Sequence, residues 1–311
     1  MLRKDQNKTV FSKLVQISLT VALAACTNQV VEKAGRPSGL RNSSNGQCPK
    51  ILNGIVVDNV RAVVSLKITN QDGSLAGNCT GTFLGDNAVL TASHCTENTA
   101  TGSVELADGT KAVAMVRGWT VEDKKEDQAA TENGGEKELF WAKHLNRKSR
   151  DIAVLIFPSG TSSSWRNIAP NPPKVGDTIM IAGYGDTSFN ENDNNDGNVR
   201  YGSNRIDYLK DGLLIFESAA GTHPTAGQDS TNGHGDSGGP VLYEEGVVGV
   251  IAAGGTTLAI EAYLFSEDNL KVLEEAEGKG AHINGLNGVR KALGRPAKPE
   301  TSDPTDGCSK I

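Results

Sequence analysis

Short apolar runs separated by turn-forming residues dominate the chain beyond its first sixty positions. Arg61 to Ile68, Cys79 to Leu84 and Ala88 to Ala92 each have strand length, and Gly85-Asp86-Asn87 between the last two is a turn. Asp151 heads a continuous apolar run, Ile152 to Phe157, and Ile179 to Gly185 forms another. Val241-Leu242-Tyr243 and Val247 to Ala253, joined by Glu244-Glu245-Gly246, read as a β-hairpin, and Ile260 to Phe265 as a last strand. Only Asn269 to Ala276 spaces its apolar residues as a helix does. The charged stretch from Glu122 to Lys137 reads as a solvated loop insertion, and Asp186 to Asn204, crowded with Asn, Asp and Gly, as a mobile surface loop. The pattern predicts an all-β domain with one helix near its C-terminus.

Composition agrees and adds limits. The chain has 311 residues, room for one large or two modest domains, and its 36 glycines suit many turns. A net charge of −6 offers no electrostatic support for a nucleic-acid partner. No cofactor or metal is expected. A calcium loop tried on Asn192, Asn194, Asp196 and Gly197 leaves Ser203 where a bidentate glutamate is required.

The N-terminus reads as a targeting segment. Arg3 and Lys4 precede an apolar run over residues 10–25 that is interrupted by Lys13. A spanning helix needs about 20 apolar residues, so this run is too short and too polar to cross a membrane. It ends in Leu23-Ala24-Ala25-Cys26, which looks like a bacterial lipobox, with Cys26 left as a lipid-modified first residue. Residues 1–25 are then a signal peptide and 26–50 a polar linker or propeptide. Export leaves Cys48, Cys79, Cys95 and Cys308 in an oxidising compartment, where three pairings are open.

The candidate chemistry centres on Gly235-Asp236-Ser237-Gly238-Gly239-Pro240, a serine in a glycine loop that feeds the hairpin. Glycines let the backbone turn its N–H groups toward one point, as an oxyanion hole beside a nucleophile requires. The string resembles the nucleophile motif of the trypsin/chymotrypsin-like serine proteases. Ala92-Ser93-His94-Cys95 and Cys79-Thr80-Gly81-Thr82 resemble that family's histidine block, and Asp151-Ile152-Ala153-Val154 its aspartate motif. His144, His223 and His282 lack such flanks. Asp151 follows His94 by 57 residues and Ser237 follows Asp151 by 86, in the order His, Asp, Ser.

The resemblance implies two six-stranded antiparallel Greek-key β-barrels with a C-terminal helix over residues 51–286; residues 287–311, polar with Pro296, Pro299 and Pro304, read as a disordered tail. The resemblance implies His94 as general base, Asp151 as its orienting carboxylate, Ser237 as nucleophile, and the N–H groups of Gly235 and Ser237 as oxyanion donors. It further implies a Cys79–Cys95 disulfide. Cys48 and Cys308 are left over, and if they pair, the domain stays tied to its anchor after cleavage. Cys48-Pro49-Lys50-Ile51-Leu52-Asn53-Gly54 resembles the family's activation site. Cleavage after Lys50, by another protease or by the enzyme itself, would free an α-amino group on Ile51 to pair with Asp236. Leu52 departs from the usual valine. At the specificity pocket, counting back from Ser237 puts Thr231 at the base, or Asp229 if two residues are inserted. Glu261 falls on the wall and Gly254 on the edge. Either carboxylate favours Lys or Arg side chains. The implied partners are protein or peptide substrates and, through Cys26, a membrane. A catalytically silent homologue serving as a surface binding module is the alternative, disfavoured by the intact His, Asp and Ser. A lipase would want a Gly-x-Ser-x-Gly elbow in an α/β chain.

Overall fold

The computed structural model describes residues 51, 54–56, 61–70, 72–100, 103–132, 137–185, 197–218 and 225–298, without the side chains of 98–100 and 127–142. Among the described residues, fourteen strands form two antiparallel sheets. The first contains β2 (Val63–Thr69), β3 (Leu75–Phe83), β4 (Ala88–Thr91), β5 (Ser103–Leu106), β6 (Ala114–Arg117) and β7 (Ala153–Ile156), in the order β5-β2-β3-β4-β7-β6. The second adds β1 (Ile55–Val56) to β8 (Thr178–Gly183), β9 (Arg200–Arg205), β10 (Tyr208–Lys210), β11 (Leu213–Glu217), β12 (Pro240–Tyr243), β13 (Gly246–Gly254) and β14 (Leu258–Tyr263). Its order is β1-β9-β8-β12-β13-β14-β11-β10. The architecture is the all-β, two-sheet form expected, but the second sheet has eight strands rather than six. The additions at its edges, β1 and β10, are two and three residues long, too short to leave an alternation in the sequence.

β4 and β7 are buried along their whole length, which is why both read as unbroken apolar runs. Leu66, Leu84, Leu90, Ile152, Leu155 and Phe157 fill the first layer, and Ile179, Ile181, Phe216, Val241, Val248 and Val250 the second. Each side chain of this size contributes about 1.5–3 kcal/mol on full burial. The sheets meet at a polar seam. Thr80 N–H on β3 donates to Ser237 O at 2.8 Å, and Tyr184 N–H after β8 donates to Thr80 Oγ1 at 3.0 Å.

Three stretches differ from expectation. The charged insertion is a helical pair, α1 (Val121–Glu132) and α2 (Lys137–Lys148), not a loop. α1 starts with a reciprocal cap: Thr120 N–H donates to Asp123 Oδ2 at 2.6 Å, and Asp123 N–H to Thr120 Oγ1 at 3.4 Å. The stretch carries charge all around and no clean apolar stripe, so its helicity had no periodic signal. Within the region taken as a surface loop, Arg200–Arg205 is strand β9, where Asn204 Nδ2 donates to Glu217 O and Ser230 O at 2.8 and 3.0 Å. Burial of polar residues with partners far along the chain hides such a strand.

At the C-terminus, α3 (Glu267–Gly278) is the expected helix, capped by Ser266 and buried through Leu270, Val272, Leu273 and Ala276. The tail expected to be disordered from Asn287 instead begins with helix α4 (Leu286–Ala292). Its buried Arg290 donates through Nε to Glu274 at 2.9 Å and through Nη2 to Glu277 at 2.7 Å, so α3 supplies the carboxylates that allow this arginine to be buried.

Asn269 ties α3 to the segment that leads into β7. It is fully buried, and its Nδ2 donates to Ser149 O at 2.9 Å and Tyr263 O at 2.8 Å. Asn269→Ala leaves both buried carbonyls without this donor and should cost about 3 kcal/mol, measured by urea unfolding. A loss under about 1 kcal/mol would mean that water replaces the amide without penalty.

Candidate active site

The histidine block is built around β4 and the turn that follows it. A 3-10 helix, Ser93–Ala100, begins where β4 ends, and the Cys79–Cys95 disulfide fastens it to β3 with a Cα–Cα distance of 6.2 Å. Ser93 Oγ donates to Ile152 O at 2.6 Å. Register does the rest: Thr91 on β4 lies opposite Ala153 on β7, so His94 and Asp151, just beyond the ends of this pair, meet although they lie 57 positions apart.

Asp151 is fully buried and accepts four hydrogen bonds. Oδ1 takes His94 N–H at 3.0 Å and Trp119 Nε1–H at 2.9 Å. Oδ2 takes His94 Nδ1 at 2.9 Å and Lys148 Nζ at 2.9 Å. Burial alone would push this carboxyl upward. The His94 and Lys148 contacts outweigh it and hold the group well below the usual carboxylate range. Asp151 therefore stays anionic, and His94 carries its proton on Nδ1, leaving Nε2 free to accept. The His94 side chain is 25% exposed, enough for a bound molecule to reach it.

The glycine loop lies directly across the seam. Cys95 Sγ is 3.9 Å from His94 Nε2 and 3.6 Å from Ser237 O, so the two halves of the site meet at the disulfide. No described residue hydrogen-bonds Ser237 Oγ, and Ser237 is half-buried. Within the loop, Asp236 N–H donates to Gly233 O, Gly238 N–H to Ile251 O and Gly239 N–H to Asp236 O. The N–H groups of Gly235 and Ser237 donate to no acceptor among the described residues. Thr80 Oγ1 donates to Gly235 O at 2.9 Å, holding the loop from β3. Gly238, at φ +85°, must be glycine: a Cβ there would lie 2.1 Å from Thr91 Oγ1 and 2.2 Å from Thr80 O. Asp236 is fully buried and accepts from Gly185 N–H and Gly233 N–H, each at 2.8 Å.

A third buried carboxyl lies near the C-terminal end of β13. Glu261 on β14 accepts from Asn232 Nδ2 at 2.6 Å and Ala252 N–H at 2.8 Å. Burial nonetheless pushes it well above the ordinary glutamate range. Asn232 lies flat against Gly254, where an added Cβ would fall 1.4 Å from its Oδ1. Thr231 is fully buried beside Asn232, and its hydroxyl has no hydrogen-bond partner among the described residues. Asp229 sits apart from this group, at φ +51°, with Ser218 Oγ donating to its carbonyl at 2.8 Å and lying 3.5 Å from its carboxylate. The sulfurs of Cys79 and Cys95 lie beside His94, but the disulfide consumes both as metal ligands. Ile51 is fully buried, at φ +47°, close to Gly202. Cys26, Cys48, Lys50, His223 and Cys308 lie outside the described residues.

The family model named Trypsin matches residues 56–265. The chain belongs to the trypsin family. It is a serine-type endopeptidase, a hydrolase whose substrates are proteins or peptides. Among solved structures it is similar to neuropsin, a serine protease expressed in the limbic system of mouse brain. The identity is 17% and the TM-score 0.49, covering 75% of this chain and 99% of the other. It is also similar to a Glu endopeptidase in complex with MPD, at 18% identity and TM-score 0.45, covering 78% and 98%. No curated protein matches.

Three residues around this trypsin-family site were not singled out from the sequence, and a fourth, Thr80, only as a member of the Cys79–Thr82 motif. Trp119 and Lys148 reach Asp151 from β6's end and from α2; Asn232 reaches Glu261 and Thr80 reaches the Ser237 loop across 29 and 155 positions. Lys148 alone could have been suspected, since an i,i+3 Lys–Asp pair preceding a strand can share one side of a turn.

The raised Glu261 carboxyl makes a signed prediction. A group lifted in the folded state adds stability at low pH, and that contribution is lost as pH rises through its folded value. The unfolding free energy of wild type should therefore fall relative to Glu261→Gln by about 1 kcal/mol or more between pH 5 and pH 9. Parallel curves across that range would show that Asn232 and Ala252 compensate the charge.

Proposed function

We propose that His94, Asp151 and Ser237 form the hydrolytic triad of this endopeptidase. The observation that carries the proposal is the buried Asp151 carboxylate on His94 Nδ1, one disulfide away from the Ser237 loop. As Ser237 Oγ attacks a peptide carbonyl, its proton passes to His94 Nε2, and Asp151 stabilises the imidazolium. The unspent N–H groups of Gly235 and Ser237 receive the oxyanion. His94 then protonates the departing amine. Water, deprotonated by His94 in turn, attacks the acyl-enzyme, and Ser237 recovers its proton. The Oγ–Nε2 hydrogen bond forms when substrate fills the site, as catalytic hydrogen bonds often tighten only in the complex. Loss of the nucleophile in Ser237→Ala should lower turnover by about 10⁴-fold or more. It should also abolish labelling by a fluorophosphonate. Wild-type protein that takes no label would favour a silent binding homologue.

Substrate choice follows from Glu261. A buried carboxylate gains most from a cation that enters its pocket, so a Lys or Arg side chain beside Gly254 suits this site, with Asn232 yielding its hydrogen bond. Thr231 lines the base, and the Gly254 edge of β13 pairs with substrate backbone. Asp229 remains the alternative base of the pocket; its carbonyl accepts from Ser218 Oγ at 2.8 Å. Peptide-library cleavage should be dominated by Lys and Arg before the scissile bond; a profile led by aliphatic or acidic residues overturns this preference.

Activation is cleavage after Lys50. The new ammonium of Ile51 then pairs with the buried carboxylate of Asp236. Two facts support this: Ile51 is already buried, and a β-branched residue at positive φ is strained. The protein is exported and lipid-anchored through Cys26. A Cys48–Cys308 disulfide keeps the cleaved domain on its anchor, and without that bond cleavage releases it. Separation of the Lys50-cleaved pieces on a non-reducing gel excludes the tether.

A further inference from the structure

Lys148 is the last residue of α2, and its side chain is only 13% exposed. Its ammonium does not point to solvent. It donates to Asp151 Oδ2 at 2.9 Å and to Ala252 O at 2.8 Å. Ala252 in turn donates its N–H to Glu261 Oε2 at 2.8 Å. One lysine thus stands between the carboxylate under His94 and the strand whose Ala252 N–H holds the buried Glu261. The end of a helix is a favourable place for a cation, and neighbouring Arg147 braces the turn by stacking 4.9 Å over the Trp119 ring.

We propose that Lys148 is a positioning residue of the hydrolytic centre, whose ammonium fixes Asp151 Oδ2 beneath His94 and ties it to β13 through the Ala252 carbonyl. The proposal rests on the triad described above. The titratable groups that face this ammonium are His94 from the 3-10 helix, Asp151 ahead of β7 and Glu261 from β14, and β13 offers the Ala252 carbonyl.

Two consequences separate this role from mere support. First, His94 Nδ1 and Lys148 Nζ share one carboxylate oxygen, so the Asp151 charge is already balanced before His94 is protonated. The imidazolium formed during turnover gains less from Asp151 than it would from an unpaired carboxylate. Removing the cation should therefore make His94 easier to protonate and move the acid limb of kcat/KM to higher pH. Second, the carboxylate loses one of its four donors, so its hold on the ring loosens.

The test compares wild type, Lys148→Met, Lys148→Gln and Lys148→Arg as full-length, processed protein on one peptide substrate from pH 4 to pH 10. In Lys148→Met the acid limb should rise by about one pH unit, within the range an opposite charge at contact distance produces, and the plateau of kcat/KM should fall about tenfold. Lys148→Gln keeps a donor without the charge, so it should show the same displaced limb with a plateau nearer wild type. Lys148→Arg keeps the charge and should restore the limb. If Lys148→Met fails to fold, the Gln and Arg pair alone decides the matter. Acid limbs that coincide in wild type and Lys148→Gln overturn the proposal, as does an Arg variant displaced as far as Gln. Wild-type protein that neither cleaves peptide nor takes a fluorophosphonate overturns the triad itself. Wild type that does both, with limbs unmoved in the variants, overturns only the role of Lys148.

Discussion

A carboxylate removed from water must be surrounded by donors or it will not stay charged, and the structure around Asp151 is shaped by that requirement. Its four hydrogen bonds come from four separate places: the backbone and ring of His94, the Trp119 indole and the Lys148 ammonium. The disulfide and the Ser93 bond to Ile152 fix the first two, β6 leads into the third, and α2 delivers the fourth. The helical insertion α1–α2 is thereby part of the site's electrostatics. Its last residue, Lys148, supplies the fourth donor to Asp151.

The same economy holds at the seam between the sheets. Thr80 uses its N–H on Ser237 O and its hydroxyl on Gly235 O, while accepting from Tyr184 N–H. The Ser237 loop is therefore suspended between β3 and the end of β8, with Asp236 buried beneath it against Gly185 and Gly233. Two amides in the loop, those of Gly235 and Ser237, donate to no acceptor among the described residues, which is unusual for backbone so close to a core. Glu261 forms a third buried acid at the seam, linked to Asp151 by the short path through Ala252 and Lys148.

Much of this was legible in one dimension. His94, Asp151 and Ser237 sit in motifs a few residues long because each needs a particular local backbone: a turn after β4, the start of a fully buried strand, a glycine loop whose Gly238 admits no Cβ. Continuous apolar runs marked β4 and β7 for the same reason, since central strands are buried on both faces. The edge strands β1 and β10, the polar β9 and the helix α4 left no such trace. Their stability comes from partners elsewhere, as Arg290 on Glu274 and Glu277 illustrates.

The division between sequence and structure follows the range of the forces involved. Sequence by itself determined the all-β class, the C-terminal helix and, through family likeness, the Cys79–Cys95 pairing and membership of the trypsin family, because these depend on local periodicity and short motifs. Only the tertiary structure decided what surrounds them: that Lys148 and Trp119 hold Asp151, that Asn232 rather than Asp229 meets Glu261, and that Thr80 grips the Ser237 loop. Hydrogen bonds and charge pairs act over a few ångströms in space and ignore distance along the chain. A residue's neighbours, and hence its protonation and its reach, exist only once the sheets have met.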